Sequence, residues 1–224
     1  MPDNKQLPAD TGQMKVCEIF TSIQGESSYA GLPCSFVRLA GCNLRCGYCD
    51  TKYSYDNGIE MTLQEIIDKI KHAGVRLVEI TGGEPFLHEE TPALVRALLD
   101  DGFTVLIETN GSLPIRDIDE RAVIILDVKT PGSGMSSEND FSNFSRLKPF
   151  DEIKFVICSR EDYEWSKKII SDNSLEERCR LLMSPALGML DPAHLVKWIV
   201  EDRLNVRLNL QIHKYIFGPE ARGV

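Results

Sequence analysis

The chain has 224 residues, 42% of them hydrophobic and 26% charged, with 16 Gly and 11 Pro, which excludes a disordered, collagen-like or coiled-coil protein and suffices for one sizeable core. Its net charge of −9, from 25 Lys+Arg against 34 Asp+Glu, opposes nonspecific binding to nucleic acid or an anionic membrane. No apolar run approaches the ~20 residues of a membrane span, and the polar start MPDNKQLPADTGQ lacks the apolar stretch of a secretion signal, so the chain reads as cytoplasmic.

Residues 1–13 have no periodicity and read as a flexible extension ahead of a single domain over 14–224. Residues 14–21 (MKVCEIFT) and 34–39 (CSFVRL) carry strand patterns, and 41–58 reads as a polar loop. Thr62-Leu-Gln-Glu65 is a capping box that opens a helix over 63–73, stopped by Gly74. A buried-strand pattern over 76–81 breaks at Gly82-Gly83, and Thr91 reads as the cap of a helix with Pro92 at its first position, which Gly102 ends. Further strands are predicted over 103–108, 122–128, 152–158, 178–183 and 206–212. Ser159 caps a helix reaching residue 170, and Asp191-Pro192 opens one reaching residue 202.

Strands separated by single helices pair in parallel through right-handed crossovers. The pattern therefore leaves a closed or partly open α/β barrel, or a doubly wound sheet, in all of which ligands sit at the C-terminal strand ends. Three polar stretches fall there: Thr81-Gly-Gly-Glu-Pro85, Glu108-Thr-Asn-Gly111 and Asp127-Val-Lys129.

Seven cysteines are an odd number for a disulfide framework, and three of them, Cys42, Cys46 and Cys49, share one loop at a C-x3-C-x2-C spacing. Three soft thiolates suit iron–sulfur or zinc. A structural zinc would need a fourth ligand, and the candidates are His72 in a predicted helix and Cys34 in a strand. A [4Fe-4S] cluster held by three thiolates instead keeps one iron open for a small ligand. Cys17, Cys34, Cys158 and Cys179 lie in apolar strand runs and read as core, and Trp165 and Trp198 as helix packing.

With its aromatic residue before the last Cys, Gly41-Cys-Asn-Leu-Arg-Cys-Gly-Tyr-Cys-Asp-Thr51 resembles the signature of radical S-adenosylmethionine enzymes, and Thr81-Gly-Gly-Glu-Pro85 resembles their glycine-rich motif. Phe20-Thr-Ser-Ile-Gln-Gly-Glu26, Phe36-Val-Arg38 and the terminal Gln211-Ile-His-Lys-Tyr-Ile-Phe-Gly-Pro-Glu-Ala-Arg-Gly-Val224 narrow the resemblance, over residues 14–224, to the 7-carboxy-7-deazaguanine synthases.

That resemblance implies a partial (β/α) barrel with a mainly parallel sheet, shorter than a full TIM barrel, and commonly a homodimer. It implies a carbon–nitrogen lyase that turns 6-carboxy-5,6,7,8-tetrahydropterin into 7-carboxy-7-deazaguanine with loss of ammonia, by radical-initiated ring contraction, in queuosine and 7-deazapurine biosynthesis. The implied cofactors are a [4Fe-4S] cluster on Cys42, Cys46 and Cys49, S-adenosylmethionine, and Mg²⁺ on the Thr51 hydroxyl. S-adenosylmethionine would meet Tyr48, Cys49, Asp50 and Gly83, together with Glu108, Asn110, Asp127, Val128 and Lys129. The pterin would meet Ile23, Gln24, Gly25 and Glu26, with Arg38 on its carboxylate and Thr81 and His213 nearby. The implied partner is a flavodoxin-like electron donor, for which Arg45 and Lys52 offer a basic rim. Two readings compete: a glycyl-radical activating enzyme with the same cysteine motif, and a non-catalytic iron–sulfur or zinc protein.

Overall fold

A computed structural model describes residues 12–224. Of the extension expected over 1–13, residues 1–11 lie outside the described residues, and Gln13 already belongs to the first strand, paired with Thr62.

Among the described residues nine strands form one sheet: β1 (Gln13–Ile23), β2 (Pro33–Leu39), β3 (Ile59–Thr62), β4 (Leu77–Gly82), β5 (Thr104–Thr109), β6 (Val123–Val128), β7 (Glu152–Ile157), β8 (Arg180–Pro185) and β9 (Arg207–Leu208). Their order is β3-β1-β2-β4-β5-β6-β7-β8-β9. β1 runs antiparallel to β2 and β3, and every pair from β2 to β9 is parallel. The sheet is open, with β3 and β9 at its edges, so the barrel is partial. It curls enough for the loop after β1 to meet the chain after β9: Ser27 N donates to Asn209 Oδ1 (2.8 Å) and Ile212 N to Gly25 O (2.9 Å).

The helices are α1 (Leu63–Ala73), α2 (Thr91–Asp100), α3 (Arg160–Asp172), α4 (Pro192–Asp202) and the short α5 (Ile212–Phe217). The capping box of α1 forms as the sequence predicts, and Gly74 ends the helix at φ 72°. Ser159 caps α3 and Asp191 caps α4, but Thr91 is already the first residue of α2, with its hydroxyl donating to Pro85 O at 2.6 Å instead of capping the helix. No α-helix joins β5 to β6 or β6 to β7; the second connection is made of short 3-10 turns at Pro131–Ser133, Ser136–Glu138 and Phe141–Arg146. The strand expected over 206–212 is only two residues long, because past Leu208 the chain turns toward Gly25 and begins α5. β3 lies just beyond the predicted loop and is too short for a pattern to reveal.

Strand alternation gives the sheet two unlike faces. Val37, Ile80, Ile107, Leu126, Val128 and Phe155 point toward the helices and build the main core. The opposite face is apolar at its base, where Cys34, Phe36, Leu77, Leu106, Val123 and Ile125 cluster. Toward the C-terminal strand ends the same inward positions become polar: Arg38, Thr81, Glu108, Asp127, Lys154 and Ser184. Cys34 and Cys158 are buried as expected, but Cys17 and Cys179 are only half-buried. Among the described residues, no helix is long and apolar enough to cross a membrane.

Candidate active site

A cavity of about 600 Å³ opens over the polar ends of the strands, and the cysteine loop forms one of its walls. Cys42, Cys46 and Cys49 all line it. Burial pushes the Cys46 thiol up, against the pull of the Lys129 ammonium. Among the described residues, no three His, Cys, Asp or Glu side chains are drawn together tightly enough for a single metal ion. The loop is braced by Arg45, which stacks 4.2 Å from the Tyr55 ring and donates to Cys42 O at 2.6 Å.

The glycine-rich motif grips this loop backbone to backbone. Glu84 N donates to Gly41 O at 2.8 Å. A Cβ on Gly83 would lie 1.6 Å from that same carbonyl, so only glycine allows the approach. Glu84 itself is fully buried and accepts from Phe86 N (3.0 Å), Thr109 Oγ1 (2.8 Å) and Asn110 N (2.7 Å). It ties the β4 loop to the β5 end, and so sets Asn110 beside the cysteines, with Nδ2 3.8 Å from Cys42 Sγ.

The floor holds an ionic network. Lys154 Nζ contacts Glu108 Oε1, Glu26 Oε2 at 3.0 Å and Asp127 Oδ2 at 3.7 Å. Thr81 Oγ1 donates to Glu108 Oε2 at 3.0 Å. Burial alone would raise the Glu108 carboxyl, but Lys154 and the Thr81 hydroxyl bring it down to about 2. Lys154 is itself held charged, well above its ordinary value, since its three carboxylates outweigh burial. Lys129 pairs with Asp127 at 2.9 Å and is likewise raised. On the opposite wall Arg38 Nε donates to Glu18 Oε1 at 2.7 Å, and Tyr53 OH donates to the same oxygen at 2.8 Å. His213 packs on Gly25 so closely that a Cβ there would lie 1.9 Å from Nδ1, and burial lowers its basicity.

Ile23, Gln24, Gly25, Glu26, Arg38, Thr81 and His213 border this cavity. So do Tyr48, Asp50, Thr51, Gly83, Glu108, Asn110, Asp127 and Lys129. Val128 does not. Its side chain, 2% exposed, lies in the helix-facing core, because alternation turns Val128 away from the face that Asp127 occupies. Sequence reasoning missed Glu79, Lys154 and Gln211, whose Nε2 donates to Glu26 Oε1 at 2.7 Å. The first two carried a signal: Glu79 is the one charge in its apolar strand and Lys154 follows Glu152 in its own, each at a position that alternation turns inward.

The radical SAM superfamily profile matches residues 37–133, from β2 to the first turn after β6. The chain is 44% identical to the 7-carboxy-7-deazaguanine synthase of Chlorobaculum tepidum, over 94% of this chain and 97% of the relative. It is 39% identical to that of Clostridium acetobutylicum, over 94% and 99%. The chain belongs to the 7-carboxy-7-deazaguanine synthase family. In fold it is similar to QueE from Escherichia coli, with a TM-score of 0.75 at 24% identity over 88% of this chain and 93% of that one.

The synthase family's radical SAM chemistry calls for a [4Fe-4S] cluster and S-adenosylmethionine, and the residues present fit both. Three thiols in one wall of the cavity are soft ligands suited to iron–sulfur. Beside them, the Tyr48 hydroxyl and Asp127 Oδ1 are buried without a hydrogen-bond partner. Buried polar atoms are rarely left so, and a ligand rich in donors and acceptors would satisfy them.

Proposed function

We propose that this synthase converts 6-carboxy-5,6,7,8-tetrahydropterin to 7-carboxy-7-deazaguanine with loss of ammonia, acting as a carbon–nitrogen lyase. The observation that carries this reading is the charge layout of one cavity, with three thiols in one wall, Arg38 in another, and a floor of paired acids and lysines. When bound, the reduced cluster and S-adenosylmethionine supply a 5′-deoxyadenosyl radical, which initiates the ring contraction.

In this reading Cys42, Cys46 and Cys49 hold the cluster. Gly83 offers backbone at close range, while Tyr48, Asp50, Glu108, Asn110, Asp127 and Lys129, with the backbone of Val128, surround S-adenosylmethionine. Arg38 Nε is taken by Glu18, which leaves the Nη groups for the pterin carboxylate. Gln24, Glu26 and Thr81 offer donors and acceptors to the heterocycle, Ile23 an apolar contact, and Gly25 with His213 closes one side. The Thr51 hydroxyl is a hard oxygen suited to Mg²⁺ shared with the substrate. A flavodoxin-like donor would approach the exposed Arg45 and Lys52, and the functional particle would be a homodimer.

Pterin binding to the cluster-loaded protein tests the Arg38 assignment. A hydrogen bond to a charged group is worth about 1.5–3 kcal/mol, so Arg38→Met is expected to weaken 6-carboxytetrahydropterin roughly 10- to 150-fold. A pterin without the carboxylate should bind both proteins alike. Equal affinity of wild type and Arg38→Met for the carboxylated pterin would overturn the assignment.

A further inference from the structure

Beneath the pterin-facing residues lies a carboxyl group with no part in the scheme above. Glu79 is on β4, at an inward position between Leu77 and Thr81, and is 5% exposed. Its Oε2 accepts from Gln24 Nε2, and the other end of that amide, Oε1, accepts from Glu26 N at 3.0 Å. Gln24 is itself buried. One N–H and one oxygen lone pair of the amide are thus taken by protein, leaving one of each.

We propose that Glu79 is a positioning residue: it anchors the Gln24 amide in a single orientation, so that the free N–H and lone pair form a two-point reader for the adjacent N–H and C=O of a lactam-bearing heterocycle. The inference rests on the functional reading above and deepens it. The Glu26 N–H fixes which end of the amide is oxygen, since only Oε1 can accept there. Glu79 then fixes the amide plane by accepting from Nε2.

The groups around Glu79 favour its neutral form. Cys34 faces it from β2, Glu108 from β5, Glu26 from the loop after β1, and Lys154 from β7. Burial, Glu108 and Glu26 raise its carboxyl to about 8, while the Gln24 bond and Lys154 act the other way. A neutral acid accepts from Gln24 through its carbonyl oxygen only. The carboxylate offers two acceptors, competes for the second Gln24 N–H, and adds a negative charge beside Glu26 and Glu108. Pterin affinity should therefore hold through neutrality and fall as pH rises through about 8.

The test uses cluster-loaded protein, with pterin affinity and kcat/KM followed from pH 6.5 to 9.5. Wild type is expected to lose affinity across the alkaline part of that range. Glu79→Gln keeps an acceptor for Gln24 but cannot ionise; its dissociation constant should rise less than fivefold, and its alkaline limb should disappear. Glu79→Ala frees the amide and should weaken the pterin about tenfold or more, with KM affected more than kcat and with iron content and S-adenosylmethionine binding retained. An alkaline limb that persists in Glu79→Gln, or full affinity in Glu79→Ala, overturns the inference alone, and Glu79→Gln decides it should the alanine variant not fold. Wild-type protein that binds no pterin at all overturns the functional reading and this inference with it.

Discussion

Replacing Lys154 with Met removes the one cation shared by Glu26, Glu108 and Asp127 while keeping most of its volume. Lys154 and Thr81 bring the Glu108 carboxyl from 4.5 to about 2. At about 1.4 kcal/mol per tenfold change in proton affinity, that is roughly 3 kcal/mol. The Glu108 side chain is 26% exposed to the cavity, so about 2 kcal/mol is the better figure for its share. Glu26 and Asp127 add to it, and about 3–5 kcal/mol is the usual loss when a buried pair is broken. A domain of this size loses ~2–4 °C of Tm per kcal/mol, so Lys154→Met should lower the Tm of cluster-loaded protein by about 6–20 °C. The sign follows from the depressed carboxyl: its stabilisation is complete above the unfolded value near 4.5 and is lost as pH falls toward 2. The gap between wild type and variant should accordingly be full at pH 7 and narrow in acid. Urea denaturation of wild type, Lys154→Met, Glu108→Gln and the double variant measures the coupling directly. Additivity within ~0.5 kcal/mol would refute the reasoning, since coupled neighbours depart from additivity by more than that.

Ser at Cys42, Cys46 or Cys49 should abolish the brown chromophore and bound iron after anaerobic reconstitution, whereas Ser at the buried Cys34 or Cys158 should leave both in place; retained iron in all three loop variants would remove the cluster from this loop. Lys52→Glu, which leaves the Arg45 brace of the cysteine loop intact, should slow flavodoxin-driven turnover and spare dithionite-driven turnover, and equal loss in the two assays would dismiss the basic rim as a docking site.

Local signals in the sequence were strong where one residue type has one physical use. The α1 capping box, the Gly74 stop and the Ser159 and Asp191 caps stand where their chemistry puts them. The parallel sheet followed from alternating apolar runs, and the cavity from motifs at strand ends. Non-local features were harder to read. The ion network on Lys154 joins residues from β7, β5, β6 and the β1 loop, and no short window contains it. Within the contiguous Asp-Val-Lys triplet, strand pleating sends the Val128 side chain to the core and leaves only its backbone beside the cavity-facing Asp127 and Lys129. The run at 206–212 has good strand alternation, yet Ile212 N bonds to Gly25 O, and that tertiary contact ends the strand.

One anaerobic incubation tests the central claim most directly. Cluster-reconstituted protein is mixed with 6-carboxytetrahydropterin, S-adenosylmethionine, Mg²⁺ and dithionite, and the products are read by mass spectrometry. The account predicts the mass of 7-carboxy-7-deazaguanine, absent when the Cys46→Ser variant replaces wild type. Formation of 5′-deoxyadenosine without that product would contradict the substrate assignment, and neither product from protein with a full cluster would contradict the enzyme itself.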